Sequence, residues 1–435
     1  MPEKGVGGRR PINREPSVEY NLLLTVTLVL IAFGAVMVFS ASSTARILNE
    51  GSLGSSTFYL VRTLIAAGIG LALMFFLARM PLARVRGMIP TLVGGTLILL
   101  LAVLAIGTEV NGTKGWLVAG PVQIQPSEYL KVALVLYGAY LFADRPDRLE
   151  SIRDMSPYLV LTGVSVLLVL IQPDMGMAGI AAAAAALTLW VAGARPRDLG
   201  LLAAGVGAAG LLFALIAPYR RQRLLDFLNP GADPTGSGFQ VTQAKIAIGS
   251  GGLDGVGAGN GVQKAFYLPE AHTDMIPAVI GEEFGLIGMI ALVFVFGLFA
   301  LAGLRIAKSA GDEFGRITAA ALTGLIIVQA SINLYSAMGM APLTGVPLPL
   351  VSYGNNSLVV TLAAIGLILN VARGGVASTR SGSSRPGGGA KLRLVHGTST
   401  ETRDGKAARG EYGRDRGRRD GGPRRTRPGR RRRAS

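Results

Sequence analysis

The sequence predicts an all-α polytopic membrane protein of about ten transmembrane helices, with a large extracytoplasmic loop between helices 7 and 8. Three observations predict it. Half of the 435 residues are hydrophobic and only 16% are charged, with a positive mean hydropathy, which excludes an ordinary water-soluble globule. Apolar runs close to the ~20 residues that a helix needs to cross a bilayer recur from Asn21 to Arg373. Lys and Arg gather in alternate connections between those runs, as they do on the cytoplasmic side of membranes. The absence of cysteine excludes disulfides, thiolate metal sites and a cysteine nucleophile, and two histidines are too few for a histidine-rich metal site.

The elements follow in order. A basic, polar leader over residues 1–20 precedes the first run, which is long enough to span and reads as a signal anchor rather than a cleaved signal peptide. The runs lie at about 21–41, 58–78, 88–106, 127–142, 157–172, 175–193, 198–217, 282–304, 315–338 and 355–372. With the leader (Lys4, Arg9, Arg10, Arg14) inside, the even-numbered connections should be basic. They are: Arg79, Arg84 and Arg86; Arg145, Arg148 and Arg153; Arg195 and Arg197; Arg305, Lys308 and Arg316. Both termini then lie in the cytoplasm, and the segments 107–126, 218–281 and 339–354 face outward. The segment 218–281 is too long for a simple connection, which marks it as functional.

Residues 374–435 form a basic tail with 18 Lys and Arg against five Asp and Glu, so it carries +13 of the net +17. Rich in Gly, Arg and Pro and poor in hydrophobes, it is expected to be disordered and to lie near anionic headgroups. With a single aromatic residue, Tyr412, among the arginines, it does not read as a nucleic-acid binder.

Several polar groups stand out against the apolar background. Glu128 and Lys131, three apart in "PSEYLK", share a helix face and read either as an interfacial pair at a helix start or as the lining of a cavity. Asp174 in "QPDMG" is placed to cap the sixth helix. Arg220, Arg221 and Arg223 emerge at an outer helix end, where they could contact anionic lipid or grip a diphosphate with their forked donors. Glu282 and Glu283 fall in the first turn of the eighth run, where a helix dipole favours anions. Asp274 in "YLPEAHTDMIPAVIGEEFG" lies at the predicted boundary of water and hydrocarbon, a setting that suits a carboxylate to general-base work. The glycines of "IGSGGLDGVGAGNGVQK" lack the strand and helix of a phosphate-binding loop and read as turns folding the long loop over the helix ends.

"NGTKGWLVAGPVQIQPSEYLK", "QPDMG", "YRRQRLLDFLNP", "GFQVTQAKIAIGSGGLDGVGAGNG", "YLPEAHTDMIPAVIGEEFG" and "GVPLPLVSYGNNS" together resemble the successive signatures of the SEDS proteins, the FtsW and RodA peptidoglycan polymerases, over residues 20–373. The resemblance implies a glycosyltransferase at the outer face of the bacterial plasma membrane that polymerises lipid II and releases undecaprenyl diphosphate. It implies that Asp274 is the catalytic base, that Glu128 and Lys131 are the paired groups of the fourth helix, and that Trp116 is the loop tryptophan. Lys245 and Lys264 join the three arginines as candidate diphosphate anchors. A class B penicillin-binding protein is the implied partner, and a divalent cation assisting the diphosphate stays open. "LPEAHTD" leans toward the division branch and "GVPLPLVSYG" toward elongation, with the division branch favoured. A lipid II flippase is the competing function. The chain departs from the family pattern at Asn355 and Asn356, where the family has Gly and Ser, and at Gly115, where it commonly has Arg.

Overall fold

The computed structural model describes residues 17–50, 57–110, 113–120, 122–144, 149, 151–216, 221, 227 and 237–382. The basic tail from 383 onward and most of the leader lie outside the described residues. All ten apolar runs are helical: α1 (Val18–Glu50), α2 (Phe58–Arg79), α3 (Leu82–Ile106), α4 (Pro126–Phe142), α5 (Ser156–Ile171), α6 (Met175–Ala192), α7 (Pro196–Ile216), α10 (Ile276–Lys308), α11 (Glu313–Ala337) and α12 (Asn355–Gly382). Eight are long and apolar enough to cross a membrane; α4 and α5, with 17 and 16 residues, are shorter. Between α7 and α10 lie α8 (Ser237–Ser250) and the single turn α9 (Gln263–Phe266).

Like α8 and α9, the structure of the connection before α4 is not anticipated by the hydropathy pattern. The connection from α3 to α4 folds into a three-stranded antiparallel sheet, β1 (Thr108–Val110), β2 (Thr113–Ala119) and β3 (Val122–Ile124), in the order β1-β2-β3. Its register sets Trp116 opposite Thr108 and Leu117 opposite Ile124. Strands this short have no spanning-length hydropathy signal.

Helix α4 is enclosed on nearly all sides, packing against α3, α6, α11 and α12. The alanines of α6 make close approach possible: Ala178, Ala181, Ala184 and Ala185 are buried where it meets α4 and α11. Buried threonines satisfy their hydroxyls inside their own helices, Thr27 to Leu23 O, Thr188 to Ala184 O and Thr323 to Ala319 O, each at 2.7 Å. Asn370 of α12 donates to Leu77 O and Met80 O at 2.6 and 2.5 Å and so caps the end of α2, where Leu77 O also accepts from Met80 N at 3.2 Å.

Helix α10 is broken at Gly285, whose φ of 62° and ψ of −159° belong to a region that essentially only glycine adopts. The break frees backbone groups, and the glycine-rich segment fills them. Val256 N donates to Glu282 O at 2.9 Å and Gly257 N to Glu283 O at 3.0 Å, while Leu286 N and Ile287 N donate to Gly252 O and Leu253 O at 3.0 and 3.2 Å. An interrupted helix at membrane depth is tolerable because other protein backbone satisfies it. The glycine-rich loop therefore pairs with the interior of α10 rather than with its end.

Candidate active site

Helix α4 starts at Pro126, where a missing N–H costs nothing. Glu128 and Lys131 follow on one face as an ion pair at 2.5 Å, 1% and 2% exposed. The enclosing helices bury the pair within the bundle. Lys131 Nζ also donates to Gln329 Oε1 of α11 at 2.7 Å, and Gln329 Nε2 donates to Pro347 O at 3.1 Å.

One turn along α11, Asn333 repeats the arrangement. Its Nδ2 donates to Val346 O at 2.8 Å and to Asp274 O at 2.9 Å. Asp274 is half-buried and directly precedes Met275, the N-cap of α10, so its carboxylate sits at the helix end that favours anions. Thr273 Oγ1 donates to Asp274 Oδ1 at 3.2 Å and lies within 2.9 Å of Glu270 O. The His272 ring lies 4.3 Å from that of Tyr59 on α2 and 5.4 Å from that of Tyr353, and Tyr353 N donates to His272 O at 2.9 Å.

The segment 339–354 is the common partner. Beyond Gln329, Asn333 and His272, it reaches α6 at Gly176, where any Cβ would collide with Thr344 O. Just past it, Asn356 Nδ2 donates to Gln123 O of β3 at 2.7 Å, tying the sheet to the start of α12. Asp174 caps α6 by accepting from Met177 N at 2.9 Å, and its other oxygen takes Gln125 Nε2 at 3.3 Å. All three segments expected to face outward thus meet around the base of 339–354.

The expected cations divide. Lys245 on α8 is exposed, and its stem and ammonium lie against Gly339 at the end of α11. Arg221 is exposed; Arg220 and Arg223 lie outside the described residues. Lys264 departs from the expectation of an open anchor. Its side chain is 0% exposed, paired at 2.5 Å with Glu283, and it donates to Ser40 Oγ of α1 at 2.8 Å and to Gly259 O at 2.9 Å. Ser40 in turn donates to Glu283 Oε1 at 2.6 Å. Glu282 accepts from Val262 N and Gln263 N at 2.7 and 3.1 Å. Glu282 and Glu283 are therefore not first-turn residues: α10 starts at Ile276, and both are buried groups that hold the glycine-rich loop.

Trp116 is half-buried on β2, and its carbonyl accepts from Thr108 Oγ1 at 3.2 Å. Lys114, next to Gly115, donates to Leu104 O at 3.1 Å. Asn355 and Asn356 open α12 as helical residues, and the non-glycine residue nearby with a left-handed φ is Leu350, at 67°. Sequence reasoning does not find Gln329, Asn333 or Ser40. The first two leave a signal, polar residues four apart inside an apolar run; Ser40 leaves none. Among the described residues no group of three or more His, Asp or Glu side chains is arranged to hold a metal ion.

Comparison with known proteins places this geometry in context. The family described as "Cell cycle protein", covering FtsW, RodA and SpoVE, matches residues 20–375. A probable peptidoglycan glycosyltransferase FtsW of Geobacter metallireducens is 39% identical over 83% of this chain and 96% of its own. The stage V sporulation protein E of Bacillus subtilis is 36% identical over 81% of this chain and 96% of its own. A solved peptidoglycan synthase complex, described as coordinating polymerization and crosslinking, has a chain that matches with a TM-score of 0.67 at 30% identity, covering 81% of this chain and 97% of that one. The rod shape determining protein RodA of Thermus thermophilus matches with a TM-score of 0.61 at 28% identity, over 83% and 98%. The matched range 20–375 spans the bundle and its polar centre, and the chain belongs to the FtsW/RodA/SpoVE family of cell cycle proteins.

Proposed function

We propose that this chain is a peptidoglycan glycosyltransferase of the FtsW type, polymerising lipid II at the outer face of the plasma membrane during cell division, with Asp274 as its catalytic base. The observation that carries the reading is the setting of Asp274: a half-buried carboxylate at a helix N-terminus, its backbone gripped by α11 and its neighbour His272 packed between two tyrosines. Asp274 takes the proton of the acceptor sugar's 4-hydroxyl as that oxygen attacks the anomeric carbon of the donor. The bond from that carbon to the diphosphate breaks, the electron pair leaves with undecaprenyl diphosphate, and the new linkage is β-1,4. A sugar hydroxyl is a weak nucleophile, and a positioned base contributes about 10² to 10⁴ in rate.

Lys245 and Arg221 are the accessible described cations for the departing diphosphate, with Arg220 and Arg223 as neighbours in sequence. Lys264 is withdrawn from that role by its burial. Glu128, Lys131 and Trp116 support the substrate cavity, the first two from the bundle interior and the third from the sheet. Both chain termini lie in the cytoplasm, and a class B penicillin-binding protein joins as the cross-linking partner. The structural likeness to a chain of a peptidoglycan synthase complex supports the partnership.

The interruption of α10 favours a second reading, lipid II transport, because transporters place substrate at broken helices. Against it, the backbone groups freed at Gly285 are taken by residues 252–257. The test reconstitutes the protein with its partner transpeptidase and follows glycan formation and lipid II translocation in the same proteoliposomes. Asp274→Asn should lower polymerisation by about 10² to 10⁴ while lipid II binding persists. Normal glycan chains from that variant would overturn the base, and translocation without polymerisation by the native protein would install the transporter.

A further inference from the structure

We propose that Asn333 is a positioning residue for the catalytic base, acting as one half of a two-amide clamp on α11; the proposal rests on Asp274 being that base. Asp274 ends an irregular segment, so the direction of its carboxylate depends on where its own backbone is held. The hold comes from the side chain of Asn333, 1% exposed, whose Nδ2 spends one hydrogen on Asp274 O and the other on Val346 O. Both partners are carbonyl acceptors, which fixes the orientation of the amide. Asn333 Oδ1, buried, accepts no hydrogen bond, so the residue is used there as a donor alone.

Gln329 stands one turn earlier on the same buried face. Its Nε2 donates to the carbonyl of the adjacent residue, Pro347, while its Oε1 accepts from Lys131. Two amides four residues apart thus hold consecutive carbonyls of one loop, and each also holds a second group: the Glu128–Lys131 pair in one case, the backbone of Asp274 in the other. Movement of residues 346 and 347 would displace both together. No other residue type serves equally at 333. Asp, of the same shape, turns a carboxylate oxygen on two carbonyl oxygens, and Leu leaves both carbonyls without a donor.

The experiment measures lipid II polymerisation by the full-length protein with its partner transpeptidase, for Asn333→Ala, Asn333→Asp, Asp274→Asn and the double variant Asn333→Ala with Asp274→Asn. Misplacing a catalytic group by about 1 Å costs on the order of 10²-fold, so Asn333→Ala should lower kcat by about 10- to 100-fold, with KM for lipid II changed by less than about threefold. Asn333→Asp should lower kcat further. In the Asp274→Asn background, Asn333→Ala should change the residual rate by less than about twofold, because a device that acts through the base has nothing left to position. A full additional loss in that background, or a native kcat for Asn333→Ala, overturns the clamp. If Asp274→Asn itself polymerises normally, the base assignment falls instead, a distinct result. Should Asn333→Ala not be recovered folded, Asn333→Ser, whose shorter side chain has one donor hydrogen and cannot hold both carbonyls, is carried through the same comparison: a lowered kcat that vanishes as an effect in the Asp274→Asn background supports the clamp, and a native kcat or a full additional loss overturns it.

Discussion

The buried clasp of Lys264, Glu283 and Ser40 offers a quantitative test of what holds the long loop to the bundle. Lys264→Met strips Glu283 of its counter-charge and leaves it the Ser40 hydroxyl, at 2.6 Å. Breaking a buried pair from one side costs about 3–5 kcal/mol, since the remaining charge stays desolvated. Glu283→Gln leaves Lys264 with two acceptors, Ser40 Oγ and Gly259 O. With hydrogen bonds to a charged group contributing about 1.5–3 kcal/mol, this second loss should be smaller, near ~2–3 kcal/mol. The double variant carries neither charge and should lie within about 2–3 kcal/mol of the native protein, a coupling of at least ~2 kcal/mol. Denaturing-detergent titration in mixed micelles, read through the fluorescence of Trp116 and Trp190, gives the unfolding free energies. Single losses that add to the double within about 0.5 kcal/mol would refute the reasoning, because groups in one network cannot be independent.

Two further outcomes follow from the same geometry. The Glu128–Lys131 pair should behave alike: Glu128→Gln and Lys131→Met each destabilise by about 3 kcal/mol or more, their combination by less than the sum, and strict additivity in the same titration would argue against a coupled pair. Gly285→Ala forces a Cβ toward Leu253 O at a backbone conformation closed to L-residues, so the variant should lose at least ~1–3 kcal/mol and show faster proteolysis of the glycine-rich loop; an unchanged cleavage rate would count against the pairing of residues 252–257 with α10.

Much of the architecture is legible in the sequence because it depends on local chemistry. Each apolar run is a helix, since a backbone among apolar surroundings must satisfy its polar groups within the segment. Asp174 as a cap and Glu128 with Lys131 as a pair are legible for a similar reason: three residues along a helix is a fixed distance. Asp274 stands out by its place before an apolar run, and the motif resemblance carries the functional reading. The start of α10 is not legible, because Ile276 to Gly281 is equally compatible with a loop end or a first helical turn, and the earlier start moves Glu283 from a dipole-stabilised mouth to an interior ion pair.

The membrane class, the helical runs, the local pairs and caps, and the family signatures thus all follow from the order of residues alone. Which of the charged groups are open and which are spent follows only from the packed bundle. Lys264 and Lys245 are alike in sequence, each a lysine in a long polar segment, yet one is enclosed against a serine 224 residues away and the other stays exposed. Asn333 and Gln329 join segments that sequence separation keeps apart, Asp274 by 59 residues and Lys131 by 198. The physical reason is that burial and long-range pairing are set by which helices pack together, and that choice is made by the whole bundle at once, not by any stretch of chain within it.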